Sequence, residues 1–369
     1  MTLERPIISV FDGGGKFVDW LRAPVSARVT PRWLEAGDAE IVVQPGDYRA
    51  DVLRQPGARV QVSLRGEHVI GGPVTAWETS GPRDPRWTFH VTDDSAVIDR
   101  LECLPDPGKA LDQQPPEPVT RTGRLESVLK QLVSANAPTQ GIPIDVVADA
   151  GRGPNVSLAA RWQPLSDVVL PSMRAARLGL SVVWRPETNR LLLDVVTPRT
   201  YPIQLSVESR TITTYKVSQA APTVTRVYLG PANGTVYQSV SNTQAETQWG
   251  PFLRGATFRP SANTDEASTA GTEALNDGAA KSGLSVSLAE TDYIHYGGPD
   301  GLHVGDMASL LIGDVQITDV VREVVIEWSR DKALTVTPAV GAWDNSPVFA
   351  LTTAVQRIAA SLRRTQTRR

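Results

Sequence analysis

One cysteine, Cys103, in 369 residues leaves nothing to pair with inside the chain, so no internal disulfide framework holds this fold. Histidine is equally scarce, at 4 residues, and offers few general bases. No Gly-x-Ser-x-Gly elbow is present to raise a serine nucleophile on a strand-to-helix turn. The run Asp12-Gly13-Gly14-Gly15-Lys16 lacks the spacing of a phosphate loop and the Ser or Thr that follows its lysine. No apolar run approaches the roughly 18–20 residues a membrane helix needs. Residues 1–20, with Asp12, three glycines, Lys16 and Asp19, do not make the apolar core of a secretory leader. A net charge of −3 gives no global attraction to nucleic acid. The expectation is a soluble chain, assembled in a cytoplasm, with no membrane insertion of its own.

What is present reads as strands and turns. The length suits two or three domains, because single cores stop growing at roughly 250–300 residues. Val60, Val62 and Leu64 alternate with polar neighbours, and so do Trp87, Phe89 and Val91, the period of two of half-buried strands. Ile7–Phe11 and Phe17–Leu21 form a hairpin around the glycine run. Asp93 caps a short helix over 96–101, and the proline-rich stretch 105–118 is a linker.

The period then changes. Leu125, Val128, Leu129, Leu132 and Val133 recur at helical spacing, with Thr122 as the expected cap. A second helix is expected over 165–176, with Gly179 just past its end. Pro171 argues against it, since a mid-helix proline costs about 3 kcal/mol. Strands follow at 180–184 and 191–195. Further strands occupy 201–230, and Asn233-Gly234 is a hairpin turn. Residues 238–262 read as a polar surface loop, and 264–283 as an alanine-rich helix stopped by Gly283. Turn pairs Gly305-Asp306 and Gly313-Asp314 then punctuate β-branched runs. At the end, Val348, Leu351, Val355, Ile358 and Leu362 step by three and four, an apolar helix seam. After Asp344 no acid remains, while Arg357, Arg363, Arg364, Arg368 and Arg369 accumulate.

Candidate chemistry is thin. Asp292, His295, Asp300, His303 and Asp306 lie close in sequence but match no metal-ligand spacing, and are read as turn residues and solvated histidines. Cys103, with no nucleophile signature around it, is read as a buried structural thiol. Of the 9 tryptophans, Trp33, Trp77, Trp87, Trp162, Trp184, Trp249 and Trp328 are weighed as sugar-stacking rings, with packing preferred and Trp249 the best exposed candidate. No catalytic, cofactor or metal residue is assigned.

The order of strands and turns carries a resemblance. Residues 37–79 run strand, loop, Pro-Gly, Val-x-Val, short turn, Ile-Gly-Gly-x-Val. A re-entering strand follows at 223–230, then Asp300, the turn Gly305-Asp306, and Val340-Gly341. This order resembles siphophage tail-tip hub proteins, and among them the Gp37-like minor tail proteins of actinophages, over most of residues 1–343. The resemblance implies a mainly β fold with α+β insertions. Its parts would be a first tail-tube-like barrel (1–104), a linker (105–118), a small α+β domain (119–200) and a second, split barrel (201–235 and 284–343). An insertion with a polar loop and helix (236–283) and a C-terminal amphipathic helix with a basic tail (344–369) complete it. It implies a non-enzymatic homotrimer at the distal tail tip of the virion. Its partners would be the distal tail protein, the tape measure protein and other minor tail or receptor-binding proteins, with DNA met only as it passes through. The alternatives are a tail enzyme degrading cell wall or polysaccharide, and a carbohydrate-binding receptor protein.

Overall fold

The computed structural model describes residues 5–83, 85–117, 119–231, 238–258, 271, 274–275, 278–279, 281–291, 294–313 and 315–340. Within these, one compact unit takes the chain up to Pro202 together with Ala289–Met307 and Val320–Ala339. A second takes Ile203–Leu288, Ala308–Asp319 and Val340.

The first unit opens with β1 (Ile7–Phe11), β2 (Phe17–Leu21), β3 (Ser26–Thr30), β4 (Asp38–Val43), α1 (Tyr48–Leu53), β5 (Arg59–Leu64), β6 (Glu67–Thr79), β7 (Trp87–Thr92) and α2 (Val97–Arg100). The strands are antiparallel in the order β3-β4-β7-β6-β5-β1-β2. The glycine run is the expected hairpin turn: Asp12 Oδ1 accepts the N–H groups of Gly14 and Lys16 at 2.9 Å. β6 serves two neighbours in succession. Its first part pairs with β5, Val62 opposite Ile70, and its second with β7, Val74 opposite Val91. The corner falls at Gly72, where a Cβ would stand 1.9 Å from the Thr92 carbonyl oxygen, so no larger residue fits. β2 ends the order, so the path is open and forms no closed barrel among the described residues.

The α+β portion of this unit contains β8 (Glu102–Cys103), β9 (Val119–Arg124), α3 (Leu125–Asn136), β10 (Ile144–Val146), β11 (Asn155–Ala160), β12 (Gln163–Pro164), α4 (Leu165–Ala176), β13 (Gly179–Arg185) and β14 (Arg190–Val196). β10 runs parallel to β14, and β13 antiparallel to it. Thr122 is not the cap of α3. It is held extended in β9, opposite Ser157. The orphan helix donors go instead to backbone: Leu125 N–H to Pro154 O (3.0 Å) and Glu126 N–H to Arg152 O (3.2 Å). α4 forms despite Pro171, which lies on its exposed face where water can reach the freed carbonyl. The helix stops at Arg177, in the left-handed region at φ 53°, not at Gly179. Leu129 and Val133 of α3, Val169 and Met173 of α4, and Leu193 and Val195 of β14 share one core with Ile98, Leu101 and Cys103. Each such side chain contributes roughly 1.5–3 kcal/mol on burial.

A charged group is built into this core. Glu126 has no exposed surface and accepts from Lys130 Nζ (2.6 Å), Arg152 N–H (2.7 Å) and Ala150 N–H (3.2 Å). Lys130 Nζ also reaches Asp194 at 2.8 Å and the Ala148 carbonyl at 3.1 Å. Burial works against the Glu126 carboxylate, but Lys130 and the backbone donors outweigh it and hold its pKa below the usual range.

The second unit holds most of β15 (Thr200–Ser206), then β16 (Ile212–Ala220), β17 (Arg226–Pro231), β18 (Gln238–Ser241), α5 (Thr243–Trp249), β19 (Leu253–Phe258), β20 (Lys281–Leu288) and β21 (Met307–Ile312). β15 pairs with β21, and β16 with β20. The strand at 223–230 pairs within a three-stranded sheet of its own, β18-β17-β19, over Val224, Val227, Leu229 and Leu275. Of the stretch 238–262, expected as loop, the described residues 238–258 form β18, α5 and β19. Its order comes from the Asn242 cap on Ala245 N–H (3.0 Å) and the bidentate Arg226–Glu246 pair (2.8 and 2.7 Å), neither of which leaves an apolar period. Gly283 lies inside β20 rather than at a helix end. Of the expected helix 264–283, Gly271, Ala274 and Leu275 are helical. Asn233-Gly234, Asp314, Gly341 and the seam Val348, Leu351, Val355, Ile358 and Leu362 lie outside the described residues.

β22 (Val315–Ser329) and β23 (Thr335–Val340) complete the chain. The end of β22 pairs with β3, Ile326 opposite Val29 and Trp328 opposite Ala27. A strand expected in the second barrel thus extends the N-terminal sheet. Among the described residues no helix is long and apolar enough to cross a membrane.

Lys130→Met should lower the unfolding free energy by about 3 kcal/mol in urea titrations, because it strands the covered Glu126 carboxylate. Lys130→Met with Glu126→Gln should recover part of that loss. Equal stability of Lys130→Met and wild type would contradict the role assigned to this ion network.

Candidate functional site

The turn Gly305-Asp306 sits at the centre of the most elaborate side-chain arrangement in the first unit. The approach to it is tightly folded. Gly297 and Gly298 adopt φ of 76° and 81°, Gly297 N–H donates to Leu302 O (2.9 Å), and Leu302 N–H donates to His295 O (2.8 Å). The turn is tied into sheet backbone on two sides. Gly305 N–H donates to Val321 O, Val321 N–H to Asp306 O, and Met307 N–H to Arg199 O, at 2.8–2.9 Å.

Trp33 explains why residue 305 is glycine. A Cβ at Gly305 would lie 2.2 Å from the indole Cζ3, and one at Gly179 1.7 Å from Cη2. The ring is slotted against two bare Cα atoms, one opening β13 and one in the turn. The backbone N–H of Trp33 donates in turn to Arg322 O at 2.7 Å.

The turn residue Asp306 is buried. Its carboxylate takes a bidentate pair from Arg199, Nη2 at 2.7 Å and Nε at 3.1 Å, and the His303 N–H at 2.8 Å. Arg199 also donates to the carbonyls of Pro299 (2.9 Å) and Gly301. His303 is half-buried: Nε2 meets Glu67, while Nδ1 lies 3.5 Å from Asp306 Oδ2 and 2.8 Å from Arg199 Nη2. Asp306 first, and Glu67 with it, raise the His303 pKa above its ordinary value, against partial burial. Arg65 adds a second clamp, donating to Glu290 (2.9 Å) and to the Tyr296 carbonyl.

The structure therefore joins His303 and Asp306 and leaves Asp300 exposed and His295 half-buried outside the cluster. Asp292 lies outside the described residues. Arg199 and Glu67 were missed from sequence because they stand 107 and 236 positions from their partners, and no local pattern announces them. A cavity of about 290 Å³ beside the cluster is lined by Trp33, His68, Asp93, Tyr296 and His303 among others. The cluster's carboxylates are already engaged by Arg199 and His303, so the arrangement fastens segments together. Cys103 is buried, and burial pushes its thiol up to about 11, well away from a reactive thiolate at neutral pH.

The aromatic residues divide. Trp184 and Trp328 are buried, and Trp33 fills its slot. Trp249, expected to be the most exposed, is half-buried at the end of α5. Trp77 and Trp162 are exposed, as is Trp20 on β2.

The family model described as "Siphovirus ReqiPepy6 Gp37-like protein" matches residues 7–342. No curated protein matches the chain. Among solved structures, the 43 kDa tail protein of prophage MuSo2 from Shewanella oneidensis is similar, with a TM-score of 0.56 at 11% identity. The match covers 90% of this chain and 97% of that one. The tail protein from Neisseria meningitidis MC58 gives 0.54 at 12% identity, over 94% and 99%. At such identities the likeness is one of fold.

Two outcomes check this site. Gly305→Ala should destabilise the protein by about 3 kcal/mol. Gly46→Ala, at φ 80° with nothing within 4 Å, should cost about 1 kcal/mol from backbone alone; equal losses would remove Trp33 from the argument. Because the folded His303 pKa is raised, its stabilisation is complete below about pH 6.5 and fades as pH rises through the folded value. The stability gap between wild type and His303→Gln should narrow from pH 6 to pH 8; a gap that widens contradicts the assigned partners.

Proposed function

The chain belongs to the Siphovirus ReqiPepy6 Gp37-like family, and from that membership we propose that it is a structural protein of a siphophage tail, the hub of the tail tip. In this role three copies form a ring that closes the distal tail tube. The ring connects the distal tail protein, the tape measure protein and the receptor-binding proteins, and opens for DNA to pass. The two strand-rich portions of the chain are then the related modules that three copies repeat six times around the channel. The observation that carries the proposal is the family match along 7–342, nearly the whole chain, joined to a fold shared with tail proteins. Charged side chains that neutralise one another across segments suit a part that must hold its shape. Gold-labelled antibody against this chain should mark the distal tip of intact virions; label on the capsid or along the tail shaft would contradict the placement.

The C-terminal seam of Val348, Leu351, Val355, Ile358 and Leu362 is proposed as a contact to another copy or to an adjoining tail protein. A lone helix of that length is marginal in water and needs a partner for its apolar stripe. Placing Asp at both Val355 and Ile358 puts charge into the seam, at a cost of several kcal/mol. Tails carrying that double substitution should assemble poorly; assembly at the normal level would make the seam dispensable.

A further inference from the structure

Two strand edges of this chain carry exposed apolar side chains and have no neighbouring strand among the described residues, although at β2 the Arg49 side chain reaches the edge, its Nη1 donating to Trp20 O at 2.6 Å and lying 3.4 Å from Asp19 Oδ2. β2 pairs only with β1 among the described residues, and β19 only with β17. Around β2, Ile7, Phe17, Trp20 and Tyr48 are exposed at 54, 42, 43 and 54%, and the Phe17 and Trp20 rings lie 5.1 Å apart. Along β19, residues 251–255, Pro-Phe-Leu-Arg-Gly, are all exposed, with Phe252 at 37% and Leu253 at 56%, and Tyr228 at 42% beside them on β17. Unpaired N–H and C=O groups next to apolar side chains are templates for another strand. Each patch offers roughly 300–400 Å², within the range where exposed apolar patches tend to be functional. With the strand edges themselves, that approaches half of the ~800 Å² a partner buries in a standard interface.

We infer that β2 of one copy pairs antiparallel with β19 of a second copy of this chain. Charge favours this pairing over the symmetric ones centred on the same residues. An in-register β2–β2 dimer sets Asp19 against Asp19, and a β19–β19 dimer sets Arg254 against Arg254; like charges directly opposite are destabilising. In the mixed pair Asp19 faces Arg254, and the same register places Trp20 opposite Leu253. Asp19 is already drawn to its ionised form by Tyr48, with Arg49 adding to it. Arg254 has no ion pair among the described residues, so it is free to meet a carboxylate. Unlike patches meeting head to tail generate a ring when the rotation closes. The inference rests on the proposed assembly of copies and names one of its contacts.

The test is sedimentation velocity of the full chain over a concentration series, with Asp19→Arg, Arg254→Asp and the double reversal. Each single reversal should weaken self-association at least tenfold, and the double reversal should return it to within threefold of wild type. Leu253→Asp, at an exposed position, should leave the melting temperature unchanged and abolish association. A wild-type oligomer untouched by these substitutions, or one lost in Asp19→Arg and not recovered in the double reversal, overturns the contact and leaves the assembly proposal standing. A wild type that stays monomeric throughout overturns both.

Discussion

The indole of Trp33, slotted against the bare Cα atoms of Gly179 and Gly305, is the constraint on which the first unit depends. A Cβ at Gly179 or Gly305 would stand 1.7 or 2.2 Å from indole carbons, so the ring would have to leave its slot. Three parts of the chain meet there: the segment after β3, the start of β13 and the turn at 305–306. Once the ring is seated, the backbone of the turn can pair with Val321 and with Arg199, and Asp306 is carried into reach of the Arg199 guanidinium. The turn is thus a fastening point, with glycine required by steric fit as much as by its φ of 92°.

Electrostatics complete the fastening in a balanced way. Arg199 and His303 face Asp306 and Glu67, and Lys130 and Arg152 face Glu126 and Asp194. Buried charge is tolerable only when it is paired and its remaining donors and acceptors are met. Both groups satisfy this by drawing backbone carbonyls or N–H groups into the network, and so each orders a loop as well as neutralising itself. These groups are committed to one another, an economy that fits a structural part better than a reaction centre.

What could be read in the sequence was local. The hairpin at 7–21, the helices at 125–136 and 165–176 and the strand pair at 179–196 each announce themselves through period and turn residues within a dozen positions. The second helix survived its proline because Pro171 lies on the exposed face. Thr122 misled because a cap-like residue before an apolar period says nothing about a strand pairing with Ser157. The residues 238–258 misled in the other direction, since a capping Asn242 and the Arg226–Glu246 pair order them without an apolar stripe. Asp306 looked like a plain turn residue and His303 like a solvated histidine because their partners, Arg199 and Glu67, are far away in sequence. The family resemblance reached further than periodicity did, because it rests on the order of many weak signals along the chain.

The proposed contacts between copies fall on β2 and β19, strands with one pairing partner each among the described residues. Trp33 and the two charge clusters fasten the first unit, which carries β2; β19 belongs to the second unit. Electron cryomicroscopy of the purified full chain decides whether the copies form a ring. A threefold ring around a central channel is the result expected of a tail-tip hub; monomers, or open filaments with no closed ring, contradict it.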